Sequence, residues 1–121
     1  MTGTVTASGS GSVTFTLIHQ GNVSVTLPVT GRAPAVGSAI VLGVRPEHFG
    51  LAGAGIADLA LDIDVAEHLG ATSYIYANTA RGEQLIVERE ESRNELGRET
   101  VSVSIPADTS YLFDSTGQRI R

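Results

Sequence analysis

The sequence contains no lysine, no cysteine and no tryptophan, and all eight of its basic residues are arginine. Without lysine, the chain cannot build a P-loop, whose lysine binds nucleotide phosphates, and it has no side-chain amine for Schiff-base chemistry. Without cysteine, it cannot form disulfides, thiolate zinc sites or a thiol nucleophile. Catalysis by this chain would have to use histidine, carboxylates, hydroxyls or arginine.

The charge balance is acidic, with 13 acidic against 8 basic residues and a net charge of -5 at pH 7. Binding to nucleic acid needs a basic face, so no nucleic-acid partner is expected. The N-terminus lacks the basic and apolar regions of a signal peptide, and no apolar run approaches the ~18 residues of a membrane span. We expect a soluble, cytoplasmic chain that folds as one domain over residues 1–121.

Valine, isoleucine and threonine make up 32 of the 121 residues, and glycine adds 14. This composition favours short strands and tight turns. Two runs of alternating apolar and polar residues, 13–17 and 23–27, flank Gly21-Asn22 and predict a hairpin. Further strands are predicted at 40–44, 58–67, 72–77, 85–87, 101–105 and near 111–114, while 88–98 is expected to be a solvated loop. The pattern indicates an all-β sandwich or barrel with seven or eight short strands and no large ligand cavity.

A Glu-His-apolar-Gly pattern occurs twice, beginning at Glu47-His48 and at Glu67-His68. If both segments lay at one end of a barrel, two histidines and two glutamates would be available to a zinc or another divalent ion. Neighbouring residues at a strand end point to opposite faces, however, which favours capping or interface roles for them. We therefore predict no metal, no cofactor and no catalytic residue, although a metal-dependent site at the two histidines remains an alternative.

Three segments, taken together, resemble the C-terminal regulatory domain of ATPase subunits in sugar-importing ABC transporters. They are LGVRPEHF at 42–49, VAEHLG at 65–70, and YLFD at 111–114 followed by GQRI at 117–120. That family serves importers of maltose, glycerol-3-phosphate and related oligosaccharides. The resemblance covers nearly the whole chain and implies a small OB-like, TOBE-type β-barrel. It also implies that a nucleotide-binding domain, with ATP and Mg, precedes Met1.

The resemblance further implies a regulatory role without chemistry of its own. In the family this domain pairs with its twin in the ATPase homodimer, receives regulatory proteins and works beside the membrane subunits at the inner face of the cell membrane. Carried onto this sequence, the family motifs give interface or regulatory candidates and structural residues. The interface candidates are Arg45, Glu47, His48, Glu67, His68 and Leu69, and the structural residues are Pro46, Leu112 and Phe113, the last two expected to fill the bottom of the barrel.

A second hypothesis is a small oxyanion-binding barrel, similar to the molybdate-binding relatives of TOBE domains. Ser92-Arg93-Asn94 would supply donors to the anion. Four glutamates close to this segment would repel an anion: Glu88, Glu90, Glu91 and Glu95.

Overall fold

The computed structural model describes residues 1–78, 83–90 and 100–121, with only the backbone of His68 and Glu90. Six of its strands form one antiparallel sheet, in the order β11-β10-β4-β1-β2-β3. Their bounds are β1 Thr2–Gly9, β2 Ser12–Leu17, β3 Val23–Pro28, β4 Ala39–Val44, β10 Ser110–Asp114 and β11 Arg119–Ile120.

The second sheet has five strands in the order β5-β9-β6-β7-β8. Their bounds are β5 Gly50–Leu51, β6 Ala57–Leu69, β7 Thr72–Asn78, β8 Gln84–Glu90 and β9 Thr100–Ile105. The long strand β6 pairs with β9 through its first half and with β7 through its second half, with a register shift between Ile63 and Val65. A bulge of this kind bends a strand, and it lets β6 serve two neighbours.

The predicted β2–β3 hairpin is confirmed, with Val13 paired to Leu27 and Phe15 to Val25. All four side chains are buried. The turn between the strands contains Gly21 and Asn22 with positive φ values of 68° and 56°. Glycine and asparagine adopt this left-handed conformation more readily than other residues, which explains why the chain reverses here.

The prediction of a strand over 58–67 is also confirmed, and the strand continues to Leu69. Leu59 and Leu61 are each 1% exposed, whereas Asp58 and Asp62 lie on the solvent side. The alternation with period two, rather than the leucine and alanine content, decided the local structure. The inner faces of the two sheets form a single apolar core that confirms the all-β class; its largest members are Phe15, Leu17, Ile40, Leu42, Leu59, Leu61, Ile75 and Ile105.

Two details differ from the sequence prediction. The described residues form eleven strands rather than seven or eight, because β1 has little alternation in its sequence and β5 and β11 are two residues long. The segment 88–98 was expected to be a solvated loop, but β8 continues to Glu90 and Arg89 is only 7% exposed. The rest of that segment, residues 91–98, lies outside the described residues.

The described part of the chain contains one helix, a 3-10 turn at Pro46–His48. No helix within the described ranges is long and apolar enough to cross a membrane.

Candidate functional site

The loop after β4 carries four of the predicted site residues. Pro46 lacks an N–H for a β-ladder, so β4 ends before it and the 3-10 turn begins, closed by a 2.9 Å hydrogen bond from the His48 N–H to the Arg45 carbonyl. Arg45 and Glu47 are exposed, Pro46 and His48 are half-buried, and the next residue, Phe49, is 4% exposed. The loop therefore presents two opposite charges to solvent while Phe49 anchors it in the core.

A buried arginine holds the end of this loop in place. Arg89 Nη1 donates to the Phe49 carbonyl at 2.7 Å, and Arg89 Nη2 donates to the Gly50 carbonyl at 2.9 Å. Arginine is seldom so deeply buried unless its donors are used. The two bonds tie the 45–50 loop, which follows the first sheet, to strand β8 of the second.

The sequence does not single out Arg89, because this residue stands in a run of charged residues. The pattern that would have found it is the alternation of β8: Val87 is buried, and a residue two positions later on a strand points to the same face. Counting two from Val87 leads to Arg89.

The second motif, at the end of β6, lies close to the 45–50 loop. Glu67 and Leu69 are exposed on β6, with Leu69 at 60%. Leu69 pairs with Thr72 of β7, and Thr72 lines a small polar pocket together with Glu47, Glu88 and Arg89. The fold thus brings the two motifs to one end of the molecule, which is the condition that the metal alternative requires.

The metal hypothesis stays untested by this geometry. Among the residues that the structure describes, no group of three or more histidine, aspartate or glutamate side chains is placed to hold a metal ion. The backbone of His68 pairs with Ser73. Its side chain, which the hypothesis requires, is not among the described atoms.

An apolar groove runs along the outer face of the first sheet beside Arg45. The guanidinium of Arg119 lies 4.6 Å from the centre of the Tyr111 ring, a cation-π contact. Gly43 pairs with Tyr111, and a Cβ at position 43 would lie 3.4 Å from the Phe113 ring, so glycine leaves the groove open. The lining residues that the structure describes include two arginines and no carboxylate: Gly43, Val44, Arg45, Pro46, Tyr111, Phe113 and Arg119.

The two structural candidates on β10 occupy different environments. Leu112 is 4% exposed and belongs to the core, whereas Phe113 is half-buried and lines the groove on the opposite face. Adjacent strand residues point to opposite sides of a sheet, so the two side chains do not fill one space, contrary to the expectation that both fill the bottom of the barrel.

The chain is similar to several known proteins. A family model described as "TOBE domain" matches residues 42–113. The chain is 47% identical over 92% of its length to a lactose transport ATP-binding protein, LacK, of Rhizobium radiobacter, and 34% identical over 90% to a maltose/maltodextrin import ATP-binding protein, MalK, of Salmonella typhi. The matched regions are 31% of each relative, so the chain spans about a third of their length.

A similar relation links the chain to an sn-glycerol-3-phosphate import ATP-binding protein, UgpC, of Chromobacterium violaceum, with 34% identity over 85% of the chain and 27% of the relative. Among solved structures, the molybdate-bound form of the cytoplasmic molybdate-binding protein ModG superposes with a TM-score of 0.71 at 18% identity, covering 92% of both chains. At this identity the likeness shows the fold alone, and it confirms the predicted TOBE-type architecture.

The part of these relatives that the chain matches is non-catalytic, which supports the prediction that this chain is not an enzyme. Residues 42–113 include the 45–50 loop, the end of β6 and most of β10. Two of the three sequence motifs therefore lie wholly within the matched region, while GQRI at 117–120 lies beyond it. The chain belongs to the TOBE domain family.

Proposed function

We propose that this chain is the regulatory domain of the ATP-binding subunit of an ABC importer for a carbohydrate or for glycerol-3-phosphate. In this role it stabilises the ATPase homodimer and receives regulatory proteins, while the membrane subunits of the importer contact the rest of the subunit. The names of the relatives support the importer class, and the family assignment supports the regulatory role.

The observation that carries the interface part of this proposal is the loop at 45–50. Arg45 and Glu47 are held outward on a segment fixed at its far end by burial of Phe49 and by the two hydrogen bonds from Arg89. A surface fixed before binding loses less conformational entropy when a partner arrives, so such a loop suits protein contacts. Glu67 and Leu69 extend the same end of the molecule, and His68 lies between them in the sequence.

The chemistry of the groove beside Arg45 indicates which kind of partner segment it would bind. Its two arginines attract carboxylates, and its aromatic rings and Pro46 contact apolar side chains. We expect the docked segment of a regulatory protein to carry an apolar residue next to an aspartate or glutamate.

The dimer role is tested by deleting this domain from the full-length ATP-binding subunit. We expect the intact subunit to remain dimeric without nucleotide, and the deleted subunit to become monomeric until MgATP is added, as measured by light scattering. A matched control is the intact subunit with Asp108→Asn, an exposed change outside the proposed interface. A deleted subunit that stays dimeric without nucleotide contradicts the dimer role, and ATP turnover by the isolated chain contradicts the whole proposal.

A further inference from the structure

We propose that the outer face of the second sheet, at its edge strand β8, binds an extended peptide segment in which a basic residue stands two positions before an apolar one. In the sheet order β8 is an end strand, and no described strand pairs with its far side. The surface consists of two rows of side chains that cross β6, β7 and β8. Only Glu67 among them also belongs to the proposed interface, and the inference does not depend on the importer role.

The first row is apolar. Val65 of β6 pairs with Tyr76 of β7, and Tyr76 pairs with Ile86 of β8. Val65 is 51% exposed and Ile86 is 40% exposed, while Tyr76 is half-buried between them. Side chains directly opposite each other on neighbouring strands lie within contact distance. The three residues therefore form an apolar strip that ends at the edge of the sheet.

The second row, two positions further along each strand, is acidic. Glu67 pairs with Tyr74, and Tyr74 pairs with Glu88. Glu67 is exposed and Glu88 is half-buried. The only described arginine on these three strands is Arg89, which is buried and donates to two backbone carbonyls on the inner side of the sheet. A cationic side chain placed beside Glu88 is therefore attracted, and an anionic one is repelled.

The backbone of β8 is regular along its whole length. All seven of its residues pair with β7 in one unbroken register, and none of them is proline. Bulges and prolines protect many sheet edges, because they interrupt the row of N–H and C=O groups that a further strand could bond. The edge strand of the first sheet, β3, differs, since it ends at Pro28 and its exposed residues Ser24 and Thr26 are polar. Of these two edges, β8 is the one suited to an added strand.

The two rows define the side chains of the bound segment. In an antiparallel pairing, the segment residue opposite Ile86 extends the apolar row, and the residue two positions earlier lies opposite Glu88. An apolar residue at the first place and an arginine or lysine at the second complement these neighbours. The segment therefore has the pattern basic-x-apolar, and its backbone hydrogen-bonds to β8.

A second copy of this chain fits the surface less well than a basic segment does. The outward positions of its own β8 include Gln84, Ile86 and Glu88, so this part of the strand has no cation to place beside the acidic row. A partner that carries a basic-x-apolar strand supplies both the opposite charge and the apolar contact.

The test is fluorescence anisotropy of a labelled seven-residue peptide, TRTVTTT, titrated with the 121-residue chain. A control peptide, TETVTTT, has glutamate in place of the arginine. We expect the arginine peptide to bind about tenfold more tightly than the control, because an exposed ion pair replaces a repulsion, and its affinity to fall as salt is added. Glu88→Gln should weaken binding of the arginine peptide by about fivefold and Ile86→Thr by about threefold, as expected for the loss of one cross-strand pair.

Charge reversal at the edge strand makes the test sharper. Glu88→Arg should exchange the preference, so that this variant binds TETVTTT more tightly than TRTVTTT. Slower amide hydrogen exchange along β8 in the bound state would show that the peptide pairs through its backbone. The matched control is Asp108→Asn, which removes a negative charge at an exposed position away from these strands and should leave binding of both peptides unchanged. Thermal unfolding followed by circular dichroism shows whether each variant is folded.

The proposal is overturned if the two peptides bind equally, if Asp108→Asn weakens binding as much as Glu88→Gln does, or if amide exchange along β8 is the same with and without peptide. Self-association of the chain that Ile86→Thr abolishes would reassign the surface to a second copy and would also overturn it. Equal binding of the two peptides leaves the deletion test of the full-length subunit unaffected, so failure of this inference is distinguishable from failure of the proposed function.

Discussion

At the scale of single residues, Arg89 has a structural role that its place in the sequence does not suggest. It stands in a charged run, yet its guanidinium is buried and donates to the carbonyls of Phe49 and Gly50. Because these carbonyls belong to the loop that presents Arg45 and Glu47, Arg89 holds the loop of the proposed interface in place.

We expect Arg89→Met to reduce the free energy of unfolding by about 2–3 kcal/mol, because the buried Phe49 carbonyl and the partly buried Gly50 carbonyl each lose a charged donor. Arg89→Lys should be intermediate, since an ammonium keeps the charge but lacks the planar fork that reaches both carbonyls. Urea denaturation of the three proteins measures the difference. An Arg89→Met variant as stable as the parent chain would show that the two hydrogen bonds contribute nothing.

Residue-level prediction succeeded where the alternation was intact and failed where composition masked it. The resemblance gives Arg45 and Glu47 as interface candidates; both side chains are exposed, and their role stays a prediction. Arg89 was missed because a charged side chain in a charged run is usually solvated, and only the register of β8 places it inside. Arg89 and Phe49 are forty positions apart in the chain, so no local sequence pattern specifies their contact.

At the scale of elements, the β10–β11 turn shows how one side chain closes a hairpin. Asp114 Oδ1 accepts the Thr116 hydroxyl at 2.6 Å, the Thr116 N–H at 2.9 Å and the Gln118 N–H at 3.0 Å. The backbone completes the turn with the Asp114 N–H donating to the Gln118 carbonyl at 2.8 Å. The short strand β11, which carries Arg119 to the groove, depends on this turn.

These bonds, led by the Thr116 hydroxyl and followed by the Gln118 N–H, hold the pKa of Asp114 below its ordinary value of 3.8. A carboxyl with a lowered pKa in the folded state contributes stability that is present above its ordinary pKa and is lost as pH falls through the lowered value. We expect Asp114→Ala to be less stable than the parent chain at neutral pH, and the difference to disappear in strong acid. Denaturant titrations across this pH range measure it, and a difference independent of pH would contradict the assignment.

Elements were predicted to different degrees for physical reasons. The hairpin β2–β3 and the strands β6, β7 and β9 follow from period-two alternation, and their bounds agree within a few residues. Strand β1 consists largely of small and polar residues, so its place beside β2 and β4 is set by pairing rather than by its own pattern. The shared end of the two Glu-containing motifs required the sheet order, which the sequence does not display.

At the scale of the whole molecule, charge of opposite sign is concentrated in separate places. The groove on the first sheet has Arg45 and Arg119 and no described carboxylate, whereas a cleft between the β2–β3 turn and strand β6 has Asp58 and Asp62 and no described arginine. The net charge of -5 is therefore unevenly distributed over the described surface.

The same distribution bears on the oxyanion hypothesis raised by the sequence. The likeness to ModG concerns the fold alone, and Ser92-Arg93-Asn94, the segment that would hold the anion, lies outside the described residues. Within the described part, Arg89 donates to backbone carbonyls and shares its small pocket with Glu47 and Glu88, a setting that opposes an anion.

We expect titration of the chain with molybdate, tungstate or phosphate to give no binding heat at neutral pH. Arg93→Ala should then behave as the parent chain does. Stoichiometric binding of molybdate that Arg93→Ala abolishes would contradict this expectation and make the oxyanion role the better account of the domain.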